Sequence, residues 1–238
     1  MNRNTAIAYL EKNIPQRIDM IESIRRGTAE VISCGEDHCL IRNEKTGLVQ
    51  LAADTCGAGM HVLENTNKPR LIVAHGEESI RAVKSVWKEY ACERPCHQAY
   101  YAGEKKTPEN AACEIRPFPK EEIGVILEHY ENITDPAYIR DRIEQGDMFA
   151  GYCEGQICGF IGFHRDGSMG MLEVFPAFRH RHIGFLLESD LINRALERGW
   201  VPYCHIYQGN TASVNLQKKL GLWITEDCPV AWLHAQKR

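Results

Sequence analysis

One stretch, residues 171–187, constrains the fold of this chain more than any other. It reads MLEVFPAFRHRHIGFLL: an apolar run, a short loop rich in basic side chains, and an apolar segment with helical spacing. A strand that leads through a loop onto a helix N-terminus makes an anion site, because the first helical N–H groups lack intrahelical partners and the helix dipole favours negative charge. The stretch therefore predicts an anionic ligand at about residues 179–184.

The basic loop lies within an acidic chain. Acidic side chains outnumber basic ones, 32 to 28, and the formal net charge is −4. Against that background Arg179, His180, Arg181 and His182 occupy consecutive positions. Such a cluster favours one specific anion over nucleic acid, which would need a whole basic face. A solvated loop whose charges only aid solubility is the alternative.

The composition indicates a globular protein. Hydrophobic residues make up 44% and charged residues 25% of the 238 positions, enough for the core of one large or two ordinary domains. No apolar run approaches the roughly 18 residues that a membrane helix needs, and the polar N-terminus does not resemble a secretory signal. We therefore expect a cytoplasmic monomer or homodimer without a nucleic-acid or membrane partner.

Ten cysteines raise the question of metal or disulfide sites. Zinc sites usually show paired short spacings, and disulfides are rare in a reducing cytosol. We therefore expect buried, inert thiols that pack as small hydrophobes, and no metal. The closest spacings, none of them CxxC, are Cys92-x3-Cys96, Cys34-x4-Cys39 and Cys153-x4-Cys158.

The apolar patterns predict an α/β (α+β) fold in which the order of elements repeats. Each half reads as two helices, a strand meander, a helix, a strand, a helix and a closing strand. In the second half, short turns separate strands at 148–153, 157–164 and 168–175, which implies antiparallel pairing. The polar segment 103–110, with Gly and Pro and no apolar anchor, is the best linker.

We therefore predict two domains, residues 1–105 and residues 111–238. They form tandem units, each a mixed, mostly antiparallel sheet flanked by helices, of which the C-terminal one is complete. The first unit lacks the basic loop, because residues 54–59 follow its third strand without a basic residue before Gly59.

Two motifs in the second half carry the strongest signal. Val174-Phe175-Pro176 is followed by Arg179-His180-Arg181-His182-Ile183-Gly184, and farther along come Asn210, Ser213, Leu216 and Leu220-Gly221-Leu222. Together they resemble the GNAT superfamily of acyl-coenzyme A N-acyltransferases, whose motif is a valine, one residue and a proline before Arg/Gln-x-x-Gly-x-Gly/Ala. Residues 200–205 are similar to the glycine N-acyltransferase branch, in which the N-terminal half is a degenerate copy of the fold.

The resemblance implies an acyl-CoA site built on this stretch. In the family two central strands separate near Val174 and Phe175, and the pantetheine arm pairs with the freed backbone. The loop and the first N–H groups of the next helix would hold the pyrophosphate. The residues implied in binding acetyl-CoA, or another acyl-CoA, are Val174, Phe175, Arg179, His180, Arg181, His182, Ile183, Gly184, Phe185, Asn210 and Ser213.

Two positions depart from the family pattern. His182 replaces the central glycine of the motif, where backbone usually approaches phosphate most closely, and an imidazolium there would instead add a charged donor. Gln217 occupies the place where many members have a tyrosine that acts as general acid. Either another group serves, with Tyr207 or Ser213 nearest, or the thiolate, with a pKa near ~8.5, leaves unaided.

For the general base we predict Glu173, the only acidic residue on its strand. Ordinary pairing of this glutamate with a neighbour is the alternative. His164 and His205 are rival bases, since the intrinsic pKa of histidine suits the task, although a satisfied core histidine is the alternative for each. The predicted catalytic residues are Glu173, Tyr207 and His205.

The sequence thus predicts an acyl-CoA-dependent N-acyltransferase, with acetyl-CoA as the favoured donor and the amine of a small molecule or amino acid as acceptor. Two other hypotheses stay open: a non-catalytic acyl-CoA-binding or sensing protein, and a scaffold whose first half binds a protein. Acidic residues that the resemblance places near the acceptor pocket fit a cationic amine, or else form a solvated helix face: Glu121, Glu122, Glu128, Glu131, Asp135 and Asp141.

Overall fold

The computed structural model describes residues 3–91, 95–103, 113–130, 133, 135–226 and 230–235. The chain divides into two compact units. The first comprises Met1–Tyr100, His205–Gln217 and Leu222–Arg238, and the second comprises Tyr101–Cys204 and Lys218–Gly221. The chain therefore leaves the first unit after Tyr100, builds most of the second, and returns to the first at His205, except for Lys218–Gly221, which belong to the second.

The described residues form strands and helices in alternating groups. The strands are β1 (Ala29–Cys34), β2 (His38–Asn43), β3 (Val49–Ala53), β4 (Leu71–His75), β5 (Tyr90–Ala91), β6 (Cys96–Tyr100), β7 (Glu114–Pro117), β8 (Met148–Cys153), β9 (Gln156–Phe163), β10 (Met169–Val174), β11 (Tyr203–Tyr207), β12 (Trp223–Ile224) and β13 (Val230–Ala235). The helices are α1 (Arg3–Leu10), α2 (Ile14–Arg25), α3 (Cys56–Glu64), α4 (Glu77–Val86), α5 (Ile123–His129), α6 (Pro136–Glu144), α7 (Ile183–Glu197) and α8 (Thr211–Leu220).

A mixed nine-stranded sheet is the framework of the first unit. Its path runs β1-β2-β3-β4-β13-β6-β11, with β12 beside β6 and β5 beside β13. The first three strands form an antiparallel meander, and β4 then joins β3 in parallel through the crossover that contains α3. The C-terminal strand β13 pairs antiparallel with β4, so the end of the chain completes the sheet that its beginning started.

Strand alternation divides the core of the first unit into two layers. On β2, Leu40 packs with α3 and α4, whereas Cys39 and Ile41 pack with α1 and α2 on the opposite face. All three side chains are buried. The apolar run of β2 is therefore continuous because helices cover both faces of the sheet.

The second unit has a four-stranded antiparallel sheet in the order β10-β9-β8-β7. The short turns that join β8, β9 and β10 give the antiparallel meander predicted from the sequence. Ile126 of α5 and Ile139 of α6 pack on Phe160 in one apolar cluster. Helix α6 begins as the sequence indicates, because the Asp135 carboxylate accepts a hydrogen bond from the Ala137 N–H at 3.0 Å and a proline occupies the first turn.

Some predicted boundaries were wrong. The apolar spacing predicts a helix over residues 78–90, but α4 ends at Val86, because Trp87 leaves helical geometry with φ −119° and ψ 79°, and Tyr90 instead starts β5. The sequence also predicts a helix over residues 120–131, which begins with a short 3-10 turn and becomes α-helical only at Ile123. The linker at 104–110, the predicted domain boundary at 105–111 and Glu131 lie outside the described residues.

The order of elements repeats along the chain as predicted, since a three-strand meander is followed by a helix, a strand and a helix in each half. Descent of the two halves from one duplicated unit, and the domain division at 105–111, stay predictions. Within the described part of the chain, every helix is too short or too polar to cross a membrane.

Candidate active site

Strand β10, which leads to the basic loop, contains a β-bulge. Its register with β9 shifts between Gly170 and Glu173, so that one extra residue lies on the β10 side. The buried residue Met171 lies in this bulge and has a left-handed φ of +53°. Because β10 ends its sheet, one side of its backbone has no strand partner among the described residues. This free edge is where the family resemblance expects the pantetheine arm.

The basic loop that follows has an unusual backbone. A short helical turn, Pro176–Phe178, is followed by two left-handed histidines, His180 at φ 63° and His182 at φ 61°. A left-handed φ is uncommon for residues other than glycine, so two of them within three positions mark a constrained loop. The four side chains at 179–182 are all exposed, so their charge faces solvent and any ligand there.

Helix α7 begins directly after His182. Its first backbone hydrogen bond runs from the Leu186 N–H to the His182 carbonyl at 3.1 Å, and the His182 side chain makes no capping hydrogen bond. The N–H groups of Ile183, Gly184 and Phe185 therefore lack helical acceptors and point out of the helix end. These donors and the basic loop meet at one place, as an anion site requires.

The corresponding helix of the first unit has a closed N-terminus. The Thr55 hydroxyl accepts a hydrogen bond from the Ala58 N–H at 3.1 Å, and the Glu78 carboxylate accepts one from the Cys56 N–H at 2.8 Å. A carboxylate of the chain thus occupies the place that an anionic ligand would take at α3. The start of α3 therefore has fewer free N–H donors for an external anion than the start of α7.

The strands beside these two helices differ in the same way. In the first unit β3 and β4 stay paired in parallel from Val49↔Ile72 to Ala52↔His75, so their facing backbone groups are used. Strand β10, by contrast, ends its sheet and has one edge without a strand partner among the described residues. That edge leaves strand backbone available for a ligand.

We expect His182→Gly to stabilise the folded chain by about 0.5–1 kcal/mol. A side chain in the left-handed region costs roughly 1–2 kcal/mol, and the greater freedom of glycine in the unfolded chain offsets part of the gain. Urea unfolding measures the difference. The matched control is Arg181→Gly in the same loop, where φ is not left-handed and glycine should destabilise. A destabilising His182→Gly would mean that the imidazole itself stabilises the loop.

The structure brings two predicted site residues into direct contact. Arg179 donates from Nη2 to the Glu173 carboxylate at 3.0 Å and from Nε to the Val174 carbonyl at 3.0 Å. The Arg179 guanidinium therefore binds the loop to the end of β10, and its side chain remains exposed. Glu173 therefore pairs with a neighbour, which was the alternative to its role as general base. It would have to release Arg179 before it could accept a proton from a substrate.

His205 lies in a buried network that sequence reasoning missed. Its Nε2 is 3.5 Å from the carboxylate of Asp19, a residue of α2 with 1% exposure. The same carboxylate lies 2.8 Å from His75 Nε2 and accepts from Gln50 at 2.7 Å and from the Met20 N–H at 2.9 Å. The Nδ1 atom of His75 faces the Leu51 carbonyl at 3.2 Å. Both nitrogens of His75 thus face oxygen atoms, one from a carboxylate and one from a backbone carbonyl.

Two opposing effects act on Asp19. Burial alone raises the pKa of its carboxyl group, but the adjacent imidazoles of His75 and His205 outweigh it and hold that pKa well below its ordinary value. No local pattern marked this residue, because α2 contains several other polar and charged side chains and Asp19 meets His75 only through the fold.

The remaining predicted residues lie on β11 and around α8. Tyr207 has 44% exposure, whereas Gln217, at the place of the family's tyrosine, has 1%. The Asn210 side chain accepts from the Ser213 N–H at 3.1 Å and so caps the start of α8, a structural role for both residues. The rival base His164 lies 2.9 Å through Nδ1 from the Tyr138 hydroxyl.

Part of the acidic group on the first helices of the second unit is already engaged. Asp135 caps α6, and Asp141 pairs with Arg142 at 2.7 Å and with Arg165 at 2.9 Å. These two carboxylates are therefore structural, which leaves fewer of the predicted set for a cationic acceptor.

Known proteins resemble this chain in part of its sequence and in its fold. Residues 109–222 match the model of the acetyltransferase (GNAT) family. No curated protein matches the chain. Among solved structures, a Drosophila protein from a structural genomics consortium has a TM-score of 0.64 at 16% identity and covers 99% of this chain and 90% of its own.

Two further structures support the fold. A GCN5-related N-acetyltransferase from Kribbella flavida has a TM-score of 0.60 at 13% identity, with 94% of this chain and 96% of its own covered. A GNAT-family acetyltransferase from Colwellia psychrerythraea has a TM-score of 0.56 at 11% identity, with 97% and 94% covered. At such identities the likeness concerns the fold alone. Residues 109–222 thus carry the sequence pattern of the acetyltransferase (GNAT) family, in a chain whose fold is similar to that of GNAT proteins.

Proposed function

We propose that this chain is an acyl-CoA-dependent N-acyltransferase that transfers an acyl group, in the first instance acetyl, to the amine of a small molecule or amino acid. The observation that carries the proposal is the contrast between two helix N-termini. Helix α7 begins behind an exposed basic loop without a side-chain cap, whereas the start of α3 is closed by Thr55 and Glu78. The family match of residues 109–222 supports acyl transfer as the chemistry.

The pyrophosphate of the donor would lie at the start of α7. The N–H groups of Ile183, Gly184 and Phe185 would donate to it, and the exposed Arg181 and His182 would add charged donors. Arg179 would contribute less, because it already holds Glu173 and the Val174 carbonyl. The pantetheine arm would then run along the free edge of β10.

His205 is the better supported general base. The donor supplies a thioester carbon, and the incoming ammonium must lose a proton before it attacks. The His205 imidazole lies beside the buried Asp19 carboxylate, which would stabilise the imidazolium formed when the ring accepts that proton. Glu173 is the second candidate, with its carboxylate engaged by Arg179.

Tyr207 is the candidate acid. It lies two residues beyond His205 on β11, so both side chains leave the same face of the strand. The amide of Gln217 has no acidic proton to give to the departing thiolate. The alternative is that the thiolate leaves without being protonated. The variant Tyr207→Phe separates these two mechanisms, because it should lower turnover if Tyr207 is the acid and leave turnover unchanged if the thiolate leaves unaided.

A thiol-release assay with acetyl-CoA across a panel of amines and amino acids tests the function. We expect amine-dependent release of coenzyme A for at least one acceptor class. His205→Gln should lower kcat/KM about a hundredfold, the usual contribution of a positioned base, while acetyl-CoA affinity stays unchanged. The matched control is His61→Gln on the exposed face of α3, which should turn over normally. Background hydrolysis alone, with tight donor binding, would contradict the enzyme assignment.

Two features favour the second candidate function, acyl-CoA binding without catalysis. His182 replaces the motif glycine, and buried Gln217 replaces the usual tyrosine. A binding protein would hold acetyl-CoA tightly and show no amine-dependent turnover. A scaffold would bind no acetyl-CoA in a calorimetric titration, which separates it from both.

A further inference from the structure

Three cysteines of the second unit meet at one point. The Sγ atom of Cys158 lies 3.1 Å from that of Cys153 and 3.7 Å from that of Cys113. All three sulfur atoms lie within 4.8 Å of one another, and all three residues are buried. The three cysteines are buried as the sequence predicts, and they are also in contact with one another.

Strand pairing brings the three cysteines together. Cys153 ends β8 and Cys158 lies near the start of β9 in the same hairpin, whose register shifts between Gly151 and Tyr152. Cys113 directly precedes β7, whose Glu114 pairs with Tyr152, so it reaches the same end of the sheet. The spacing between Cys153 and Cys158 was visible in the sequence, but Cys113 joins them only through the sheet.

The space around the sulfur atoms is kept open by a glycine. A methyl group at Gly151 would lie 2.8 Å from Cys113 Sγ and 3.3 Å from Cys158 Sγ. Any other residue at this position would therefore displace the sulfur atoms. The absence of a side chain gives three sulfurs room to share one centre.

The distances suit a shared metal ion better than a disulfide. Two thiolates on one tetrahedral metal, each about 2.3 Å from it, are about 3.8 Å apart, close to the 3.7 Å between Cys113 and Cys158. A disulfide needs about 2.05 Å and would leave the third sulfur unused. The 3.1 Å separation of Cys153 and Cys158 would have to widen by about 0.7 Å to reach the spacing of two thiolates on one metal.

We propose that Cys113, Cys153 and Cys158 form a three-thiolate site for one soft d10 cation, zinc or monovalent copper. An all-sulfur donor set selects such ions over magnesium or calcium. On binding, each S–H bond is replaced by a sulfur–metal bond and its proton passes to solvent, without electron transfer. Zinc would add a fourth ligand, whereas monovalent copper is satisfied by three thiolates.

The site lies against α7. The Cδ2 atom of Leu187 would be 3.2 Å from a methyl group at Gly151, so the cysteines and the helix enclose the same small space. Metal binding would therefore join β7, β8 and β9 beneath the helix that begins at the basic loop. Because the ion binds the folded state, it should raise the Tm of the chain.

The test uses the full chain, reduced and stripped of metal under anaerobic conditions. Zinc and monovalent copper are titrated separately against competing chelators, with ultraviolet thiolate-to-metal absorption as the readout. We expect one ion per chain, sulfur neighbours at about 2.3 Å by X-ray absorption for zinc, and a raised Tm. The ion that binds more tightly under equal competition identifies the preferred metal.

Single replacements of the three cysteines locate the site. Cys113→Ser, Cys153→Ser and Cys158→Ser should each weaken binding roughly a hundredfold, and any one that folds suffices for the test. The control is Cys204→Ser on β11, a buried cysteine whose thiol pKa is raised by burial, which should bind as wild type does. Absence of binding by wild type, wild-type affinity in the three variants, or a Cys153–Cys158 disulfide that forms in preference to the metal complex would each overturn the proposal.

Discussion

Asp19→Asn is expected to lower the free energy of unfolding by about 3 kcal/mol, because the buried groups around this carboxylate lose the charged acceptor that they share. Asp19 and His75 have side-chain exposures of 2% and 0%, and their nearest atoms are 2.8 Å apart. Gln50 and the Met20 N–H also lose a charged acceptor. Urea unfolding at pH 7, followed by tryptophan fluorescence, measures the change.

The same variant should lose part of the acid sensitivity of the wild type. Since the folded-state pKa of Asp19 is depressed, its stabilisation is complete above the ordinary value of 3.8 and is lost as the pH falls below that value. The difference between wild type and Asp19→Asn should therefore shrink below about pH 4. Glu44→Gln, at an exposed position of the same unit, is the control and should change stability by less than about 0.5 kcal/mol. An Asp19→Asn chain within 1 kcal/mol of wild type at pH 7 would show that the network contributes little.

Gly159→Ala is expected to destabilise the chain by about 2–3 kcal/mol through overpacking. The new methyl group would lie 2.5 Å from the Glu173 carbonyl oxygen and 3.2 Å from the Val174 Cα. Both are backbone atoms of β10 and cannot rotate away, so β10 must move from β9. We expect acetyl-CoA affinity to fall at least about tenfold as well, because the displaced strand carries the proposed pantetheine edge.

Gly124→Ala is the matched control for this substitution. It lies in α5 of the same unit, and a methyl group there meets no atom within 4 Å. Alanine in a helix should be neutral or stabilise by about 0.5–1 kcal/mol. Urea unfolding measures the stability of both variants, and calorimetric titration measures their affinity for acetyl-CoA. Equal stability and equal affinity of Gly159→Ala and Gly124→Ala would contradict the close approach of β9 and β10.

Local signals gave the elements of the fold and the start of the site. The Asp135-Pro136 helix start, the meander turns and the strand–loop–helix stretch each depend on a few adjacent residues, and each appears in the structure where it was predicted. The left-handed φ of His182 fits the glycine that the family motif places there, although the side chain differs.

What the sequence could not give depends on distant contacts. The pairing of β13 with β4 joins segments from opposite ends of the chain, and the network of Asp19, His75 and His205 joins a helix to two separate strands. Arg179 was assigned to the ligand, yet its contact with Glu173 depends on how the loop folds back on β10. Hydrophobic periodicity carries no information about such contacts, since it fixes only which face of each element is buried.

A calorimetric titration of acetyl-CoA beside acetyl-pantetheine tests the central claim most directly, since the two donors share the thioester and pantetheine arm and differ in the pyrophosphate and nucleotide. If the loop and the start of α7 hold the pyrophosphate, acetyl-CoA should bind one per chain and acetyl-pantetheine about a hundredfold more weakly, the equivalent of about 3 kcal/mol in charge-assisted hydrogen bonds. Added salt should reduce this difference in affinity, because it screens the charges of the pyrophosphate and the basic loop. Equal affinities for the two compounds, or no binding of either, would contradict the assignment of this site.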